Sequence, residues 1–245
     1  MKKIVSSDLK DSNTFAQEYK LVNKIKHDNV LRINSIYRRK LDSTTYVLYI
    51  LMEKAITDWD REIRAMASQK KYYSEGDLLI ILKQCVEALS FLQQNKISHR
   101  DIKPQNILLF KDGIFNMADF GEAKKIKISQ SNKELNTLRG TELYMSPILL
   151  ESLNENCSNV KHNSYKSDVF SLGFCFLYAA SLNLNHLFDL RKVFDSNVKS
   201  QKIKKILKPL YSDFFIEIIQ LMLEVKDEKR YDFIDLKKLL EKNDI

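Results

Sequence analysis

The sequence predicts an α+β chain of two unequal lobes, a short mixed one followed by a larger, mainly helical one. Three observations carry this. Runs rich in Val, Ile, Leu, Tyr and Thr fall at 30–37 and 45–53, as strands require. Residues 77–94 repeat apolar side chains at helical spacing. Beyond about residue 145 every apolar pattern is of the helical kind. A chain of 245 residues suffices for one large domain or two small ones.

In chain order, residues 14–26 come first. Phe15, Leu21, Val22 and Ile25 suit an amphipathic helix, and Thr14 with Gln17 suits its N-terminal capping pair. The two strand runs at 30–37 and 45–53 flank an Asp42-Ser43 turn, which predicts an antiparallel hairpin. Leu78, Ile81, Leu82, Val86, Leu89 and Leu92 line one side of the helix over 77–94. Segments 106–110 and 114–118 predict two short strands about the turn Lys111-Asp112-Gly113. A helix is predicted after Asp168, another over about 212–224 and a last one over about 233–242.

Composition narrows the class. Hydrophobic residues make up 44% and charged residues 29%, which are ordinary globular proportions. Three Pro and five Gly leave no flexible or low-complexity segment. The net charge of +8 admits a nucleic-acid or anionic partner, but the lysines are scattered among Glu, Asp and Asn, as on solvated helix faces. No nucleic-acid role is therefore expected. Cys85, Cys157 and Cys175 have no paired spacing, which argues against a disulfide framework or zinc site and for a reducing, intracellular and cytoplasmic setting. No apolar signal core follows Met1-Lys2-Lys3. The apolar stretch from Val169 to Leu184 is 16 residues long, short of the roughly 20 that span a bilayer, and reads as a core helix.

The chemistry concentrates in His99-Arg100-Asp101-Ile102-Lys103-Pro104-Gln105-Asn106, followed thirteen residues after Asn106 by Asp119-Phe120-Gly121. Phosphoryl transfer needs metal on the phosphates, a group to orient the attacking hydroxyl and cations against developing charge. Asp101 and Asp119 are carboxylates, Asn106 offers an amide oxygen, and Lys103 is a cation. Oxygen donors suit Mg²⁺. Each piece alone has a bland reading, a turn for Asp-Phe-Gly and a packed histidine for His99. Eight ordered residues with the second motif at this distance do not arise by chance.

These motifs resemble those of the eukaryotic-type Ser/Thr protein kinase family, HRDIKPQN its catalytic loop and DFG its metal-binding motif. The resemblance implies a bilobal kinase-like α+β fold. Residues 1–53 form a truncated small lobe, and 54–245 the hinge and the large helical lobe. It implies that Asp101 orients or deprotonates the substrate hydroxyl, that Asn106 and Asp119 hold Mg²⁺, and that Lys103 contacts the transferred phosphate. His99 is then structural beside Phe120, and Arg100 receives an activation-segment phosphate. Glu18, nine residues before His27-Asp28-Asn29, resembles the small-lobe helix glutamate. Glu53 and Ala55 fall where the hinge meets the adenine edge of ATP, and Leu108 where the adenine floor lies. Gly140-Thr141 to Pro147 is similar to the substrate-docking stretch, Asp168 to the brace beneath the catalytic loop, and Arg230 to a late structural arginine.

The sequence also departs from the family. No Gly-rich loop precedes Glu18. Lys2, sixteen residues before Glu18, resembles the phosphate-binding lysine of the small lobe; the alternative is a solvated terminal lysine pair. The chain is expected either to be part of a longer protein, the reading taken here, or to be a short form with an open nucleotide site. Ile148 stands where the family has the glutamate that pairs with the late arginine, which leaves Glu151 as the expected partner of Arg230.

Arg100 beside Asp101 implies control by phosphorylation, with Thr137 the expected acceptor and an upstream kinase its source, Ser129 and Ser131 being weaker candidates. Thr141 is expected to position Asp101 and Lys103. The leading function is an ATP- and Mg²⁺-dependent kinase of protein Ser/Thr residues. The alternative is a pseudokinase-like scaffold or binding module, for which the missing Gly-rich loop speaks. A small-molecule kinase and a nucleic-acid binder rank lower.

Overall fold

The computed structural model describes residues 2–6, 19, 25–43, 45–126 and 134–244. Near the start, β1 (Lys2–Ser6), β2 (Ile33–Lys40) and β3 (Tyr46–Met52) form an antiparallel sheet of order β1-β3-β2. The register pairs Lys2 and Ile36 with Ile50 from opposite sides, and a shift between Ile33 and Ser35 bulges β2. The hairpin forms where the sequence predicts it, closed by the Asp42 carboxylate accepting from Thr45 N–H at 2.8 Å. Ile33, Leu48 and Ile50 bury one face together with Tyr19, which is helical. Of the predicted 14–26 helix, only Tyr19, Ile25 and Lys26 are described, and the last two are not helical.

The larger part of the described chain is helical. Its frame is α1 (Trp59–Ser68), α2 (Glu75–Gln94), α3 (Pro147–Asn154), α4 (Ser164–Ser181), α5 (Asn185–Arg191), α6 (Ser196–Leu207), α7 (Asp213–Met222) and α8 (Phe233–Lys242). Helix α2 starts where the Ser74 hydroxyl accepts from Asp77 N–H, and its buried Leu78, Ile81, Leu82, Cys85, Val86, Leu89 and Leu92 follow the helical period. Helix α4 is buried on all sides, with 15 of 18 residues inside the core, so its sequence shows no polar stripe. Trp59, fully buried on α1, packs edge-on against Phe115 and Phe176, with ring centroids 6.0 and 4.9 Å away. Gln93 joins α2 to α8 by donating to Asp232 and accepting from Phe233 N–H. No described helix is long and apolar enough to cross a membrane.

Five short strands shape the ground between these parts. They are β4 (Thr57–Asp58), β5 (Ile97–Ser98), β6 (Ile107–Leu109), β7 (Phe115–Met117) and β8 (Lys124–Lys125); β4-β6-β7 form one ladder and β5-β8 another. Asp112 (φ 59°) and Gly113 (φ 72°) turn left-handed between β6 and β7, as an Asp-Gly turn allows. Leu31 N–H donates to Met117 and Met117 N–H to Asn29, which ties the approach to β2 onto β7. Asn29 also donates to Gln84 and to the Phe115 carbonyl.

Three expectations need correction. The chain beyond residue 145 is not wholly helical, because β10 (Asn159–His162) pairs antiparallel with β9 (Glu134–Thr137). The helix expected after Asp168 begins at Ser164, where Asn163 caps it, and so contains Asp168. Glu151 is exposed and does not pair with Arg230. The buried guanidinium of Arg230 instead donates to the carbonyls of Glu224, Val225 and Lys166 and faces Asp227 at 3.5 Å. Ile148 packs beside Met145, Leu149 and Val160.

Candidate active site

The catalytic-loop segment leaves β5 and is held from below by a carboxylate. Asp168, on the second turn of α4 and 3% exposed, accepts from Ser98 Oγ at 2.7 Å and from the N–H groups of His99 and Arg100 at 2.8 Å each. The third bond fixes Arg100 at φ 69°, a left-handed conformation that a β-carbon disfavours. Burial pushes the Asp168 carboxyl up, against the opposing charge of His99 and these hydrogen bonds. The His99 ring lies 5.0 Å from that of Phe120, with Nε2 2.9 Å from the Ala118 carbonyl.

That turn presents Asp101 at the centre of a polar cluster. Its Oδ2 meets Lys103 Nζ at 2.8 Å and accepts from Asn106 Nδ2 at 3.1 Å. Its Oδ1 accepts from the Thr141 N–H at 3.0 Å and from the Thr141 hydroxyl at 2.8 Å. Lys103 Nζ donates to the same hydroxyl at 2.8 Å. Burial alone would raise the Asp101 carboxyl, but Lys103 and Thr141 outweigh it and hold the group below its ordinary value. Asp101 is therefore an oriented carboxylate at neutral pH. Gly140 makes the approach of Thr141 possible. It sits at φ +109°, and a β-carbon there would lie 2.9 Å from the Arg100 carbonyl oxygen.

Asp119 follows β7 in a left-handed conformation, φ 57° and ψ 71°. Its Oδ1 makes a close ion pair with Lys2 Nζ and accepts from Tyr19 Oη at 2.7 Å, while Lys2 donates to Tyr19 at 2.9 Å. Burial would raise the Asp119 carboxyl, but Lys2 and Tyr19 hold it below the ordinary range. Asn106 Nδ2 is directed at the Asp101 carbonyl and carboxylate, at 2.8 and 3.1 Å, so its Oδ1 has no partner among the described residues. Asp119 Oδ2 is likewise without one. A carboxylate oxygen and an amide oxygen left in this way are the hard donors that Mg²⁺ takes.

The Protein kinase domain family model matches residues 1–242. The chain belongs to the protein kinase family. It is 31% identical over 204 residues to Serine/threonine-protein kinase Nek9 of Mus musculus, which covers 83% of this chain and 19% of that protein. It is 29% identical to Probable serine/threonine-protein kinase nek2 of Dictyostelium discoideum, over 93% of this chain and 54% of the relative. It is 30% identical to Serine/threonine-protein kinase cds1 of Schizosaccharomyces pombe, over 93% and 47%. The chain thus spans from about a fifth to about half the length of these curated relatives.

Within this kinase domain, the structure brings Asp101, Lys103, Asn106 and Thr141 into one cluster and Lys2 onto Asp119. Arg100 reaches Thr137, donating to its carbonyl at 2.6 Å and its hydroxyl at 3.0 Å. Ala55 and Leu108 pack with Leu31, Phe110 and Ala118 in one apolar cluster. Glu18 lies outside the described residues, as do Ser129 and Ser131. Sequence reasoning missed Tyr19, 1% exposed and hydrogen-bonded to both Lys2 and Asp119. Its signal was an aromatic residue adjoining Glu18 in the predicted helix.

Proposed function

We propose that this kinase domain transfers the γ-phosphate of ATP to Ser and Thr hydroxyls of protein substrates, with residues 1–53 as its partial small lobe and 54–245 as hinge and large lobe. The observation that carries the reading is the Asp101 cluster, an ionised carboxylate aligned by Thr141, Asn106 and Lys103. Asp101 accepts or orients the proton of the attacking hydroxyl. Lys103 lies beside it and offsets charge on the transferred phosphoryl group. Asn106 and Asp119 hold Mg²⁺ through their unpartnered oxygens; when bound, Mg²⁺ neutralises the ATP phosphates. Lys2, already at Asp119, is the cation for the phosphates, and Glu18 belongs with it in the small lobe. The backbone of Glu53 and Ala55, without hydrogen-bond partners among the described residues, takes the adenine edge over Leu108.

An upstream kinase acts at Thr137, where Arg100 stands ready for the phosphate. Support for an intracellular, reducing setting comes from three free cysteines, two of them buried. The Tyr19–Asp119 bond favours a second reading, a scaffold in which Oδ1 of the metal carboxylate stays engaged by Tyr19. Transfer of labelled γ-phosphate with Mg²⁺ to a generic basic protein, wild type beside Asp101→Asn, separates the two. The kinase reading requires transfer by the first and its loss in the second. No transfer by folded wild type sinks it. Mass spectrometry of active protein then checks Thr137, and a bare Thr137 removes the regulatory assignment.

A further inference from the structure

One buried amine in the large lobe takes no part in the Asp101 chemistry. Lys199, on α6, is 1% exposed, and its Nζ meets no hydrogen-bond acceptor among the described residues. It faces aromatic rings of α4 instead, 4.8 Å from the centroid of Phe170 and 6.0 Å from that of Phe174. The guanidinium of Arg230 stands 4.9 Å from the same Phe170 ring. An ammonium so placed has lost its water and gained only the attraction of π-faces. Burial and the charge of Arg230 push Lys199 down to about 7, while Glu224 opposes them. Near neutral pH a large share of Lys199 is therefore a free amine with an unused lone pair.

Lys199 also lines a cavity of about 170 Å³ between α6, α7 and the turn after α7. Ile203, Leu221 and Leu223 give it apolar walls. Its charged lining, besides Lys199, is Lys229, Glu217 and Glu224. The Glu224 carboxylate is already engaged, accepting from the Ser196 hydroxyl and from Lys226 N–H at 2.8 Å. Asp227 is held toward Arg230, at 3.5 Å.

A desolvated amine beside a fixed cation is the arrangement in which lysine acts as a nucleophile. Two conditions select the reagent. It must be small and uncharged to reach an amine that is 1% exposed. Its product must suit the positive charge of Arg230 and Lys229. An aldehyde fails the second condition, because an imine supplies no anion. Carbon dioxide meets both.

We propose that Lys199 is a carbon dioxide site, where Nζ forms a carbamate held by the charge of Arg230 and Lys229. The Nζ lone pair attacks the carbon of carbon dioxide and an N–C bond forms. One C=O π pair moves onto oxygen, and a proton leaves the nitrogen for solvent. Amine and carbon dioxide thus become carbamate and a proton, with no oxidant or reductant. Glu217 and Glu224 oppose the new charge and limit its extent. Because the reaction favours the folded chain, carbon dioxide stabilises the large lobe by mass action.

The test equilibrates the full chain with isotope-labelled bicarbonate and carbon dioxide. A trialkyloxonium reagent then esterifies any carbamate before it reverts, and mass spectrometry maps the label. The terminal α-amine, which also titrates near neutrality, is the positive control for trapping. At neutral pH, Lys199 is expected to carry at least tenfold more label than Lys202, an exposed lysine of the same helix. The label should rise as pH is raised through about 7 at fixed dissolved carbon dioxide. Glu224→Gln removes an opposing charge and keeps an oxygen for Ser196 and Lys226 N–H, so it should raise the Lys199 label at least twofold. Label on the α-amine with none on Lys199, equal label on Lys199 and Lys202, or indifference to Glu224→Gln overturns the proposal.

Discussion

The phenol of Tyr19 donates to Oδ1 of Asp119 across 2.7 Å while accepting from Lys2 Nζ at 2.9 Å. A buried tyrosine thus competes with metal for the carboxylate that the proposed chemistry needs. Tyr19→Phe keeps the ring and removes the competitor. The loss of a hydrogen bond to a charged group should cost about 1.5–3 kcal/mol of metal-free stability, read by urea denaturation. The same substitution should lower the Mg²⁺ concentration that gives half-maximal phosphotransfer. A rise in that concentration would mean that the phenol prepares Asp119 for metal.

Asp168 gathers three donors on two oxygens, which an amide cannot imitate. In Asp168→Asn one oxygen becomes an NH₂ group facing N–H or O–H donors. Because burial already disfavours the charge of Asp168, the net loss is smaller than three bonds suggest, about 2 kcal/mol by denaturation. The left-handed Arg100 loses its clamp, so kcat should fall at least tenfold. Unchanged kcat would show that the loop holds its shape without the brace.

Lys199 is the clearest pH handle. It is 1% exposed on α6, its Nζ sits 4.8 Å above the Phe170 ring, and no hydrogen-bond acceptor meets it among the described residues. Burial, with the charge of Arg230 adding and that of Glu224 opposing, pushes its pKa down to about 7. The unfolded chain therefore binds the extra proton from about pH 7 up to the ordinary lysine value. Stability rises with pH across that window, by up to about 1.4 kcal/mol per pH unit from this residue. Lys199→Met should be more stable than wild type at pH 7, and the gap should shrink toward pH 9. Parallel pH–stability curves for the two proteins would show that Lys199 does not titrate.

Gly140→Ala tests the close approach beside Asp101. The new β-carbon would meet the Arg100 carbonyl at 2.9 Å from a backbone at φ +109°. Relief requires moving backbone on one side or the other, with an expected loss of about 1–3 kcal/mol. Because Thr141 follows, kcat should fall with stability; a loss of stability alone would mean that Thr141 keeps its place.

The catalytic loop and the DFG segment were legible because their chemistry is written in consecutive residues. The hairpin of β2 and β3 was legible because its apolar runs flank a turn residue that closes the loop. Helix α1 was not, because only Trp59, Asp60 and Ile63 of its ten residues are buried, too few to show a helical apolar period. The β9–β10 pair was not, because four-residue strands carry too short a pattern to separate from their helical surroundings. The partners of Arg230 are mostly backbone carbonyls, which every residue owns and no sequence singles out.

With Thr137 as the proposed phosphate acceptor, the β9–β10 ladder governs when its hydroxyl can be reached. Thr137 sits opposite Asn159, and beside it Asn136 is buried, accepting from Lys124 and donating to Ser164. A hydroxyl carried on a paired strand cannot enter another enzyme's cleft until the ladder opens. The rate of modification is then capped by the frequency of that opening, which amide hydrogen exchange over 134–137 and 159–162 would report. A phosphate at this proposed site would find Arg100 already beside Thr137, and so would gain contact without having to order this stretch of chain. On the proposed assignment, a phosphate at Thr137 is slow to add and inexpensive to hold.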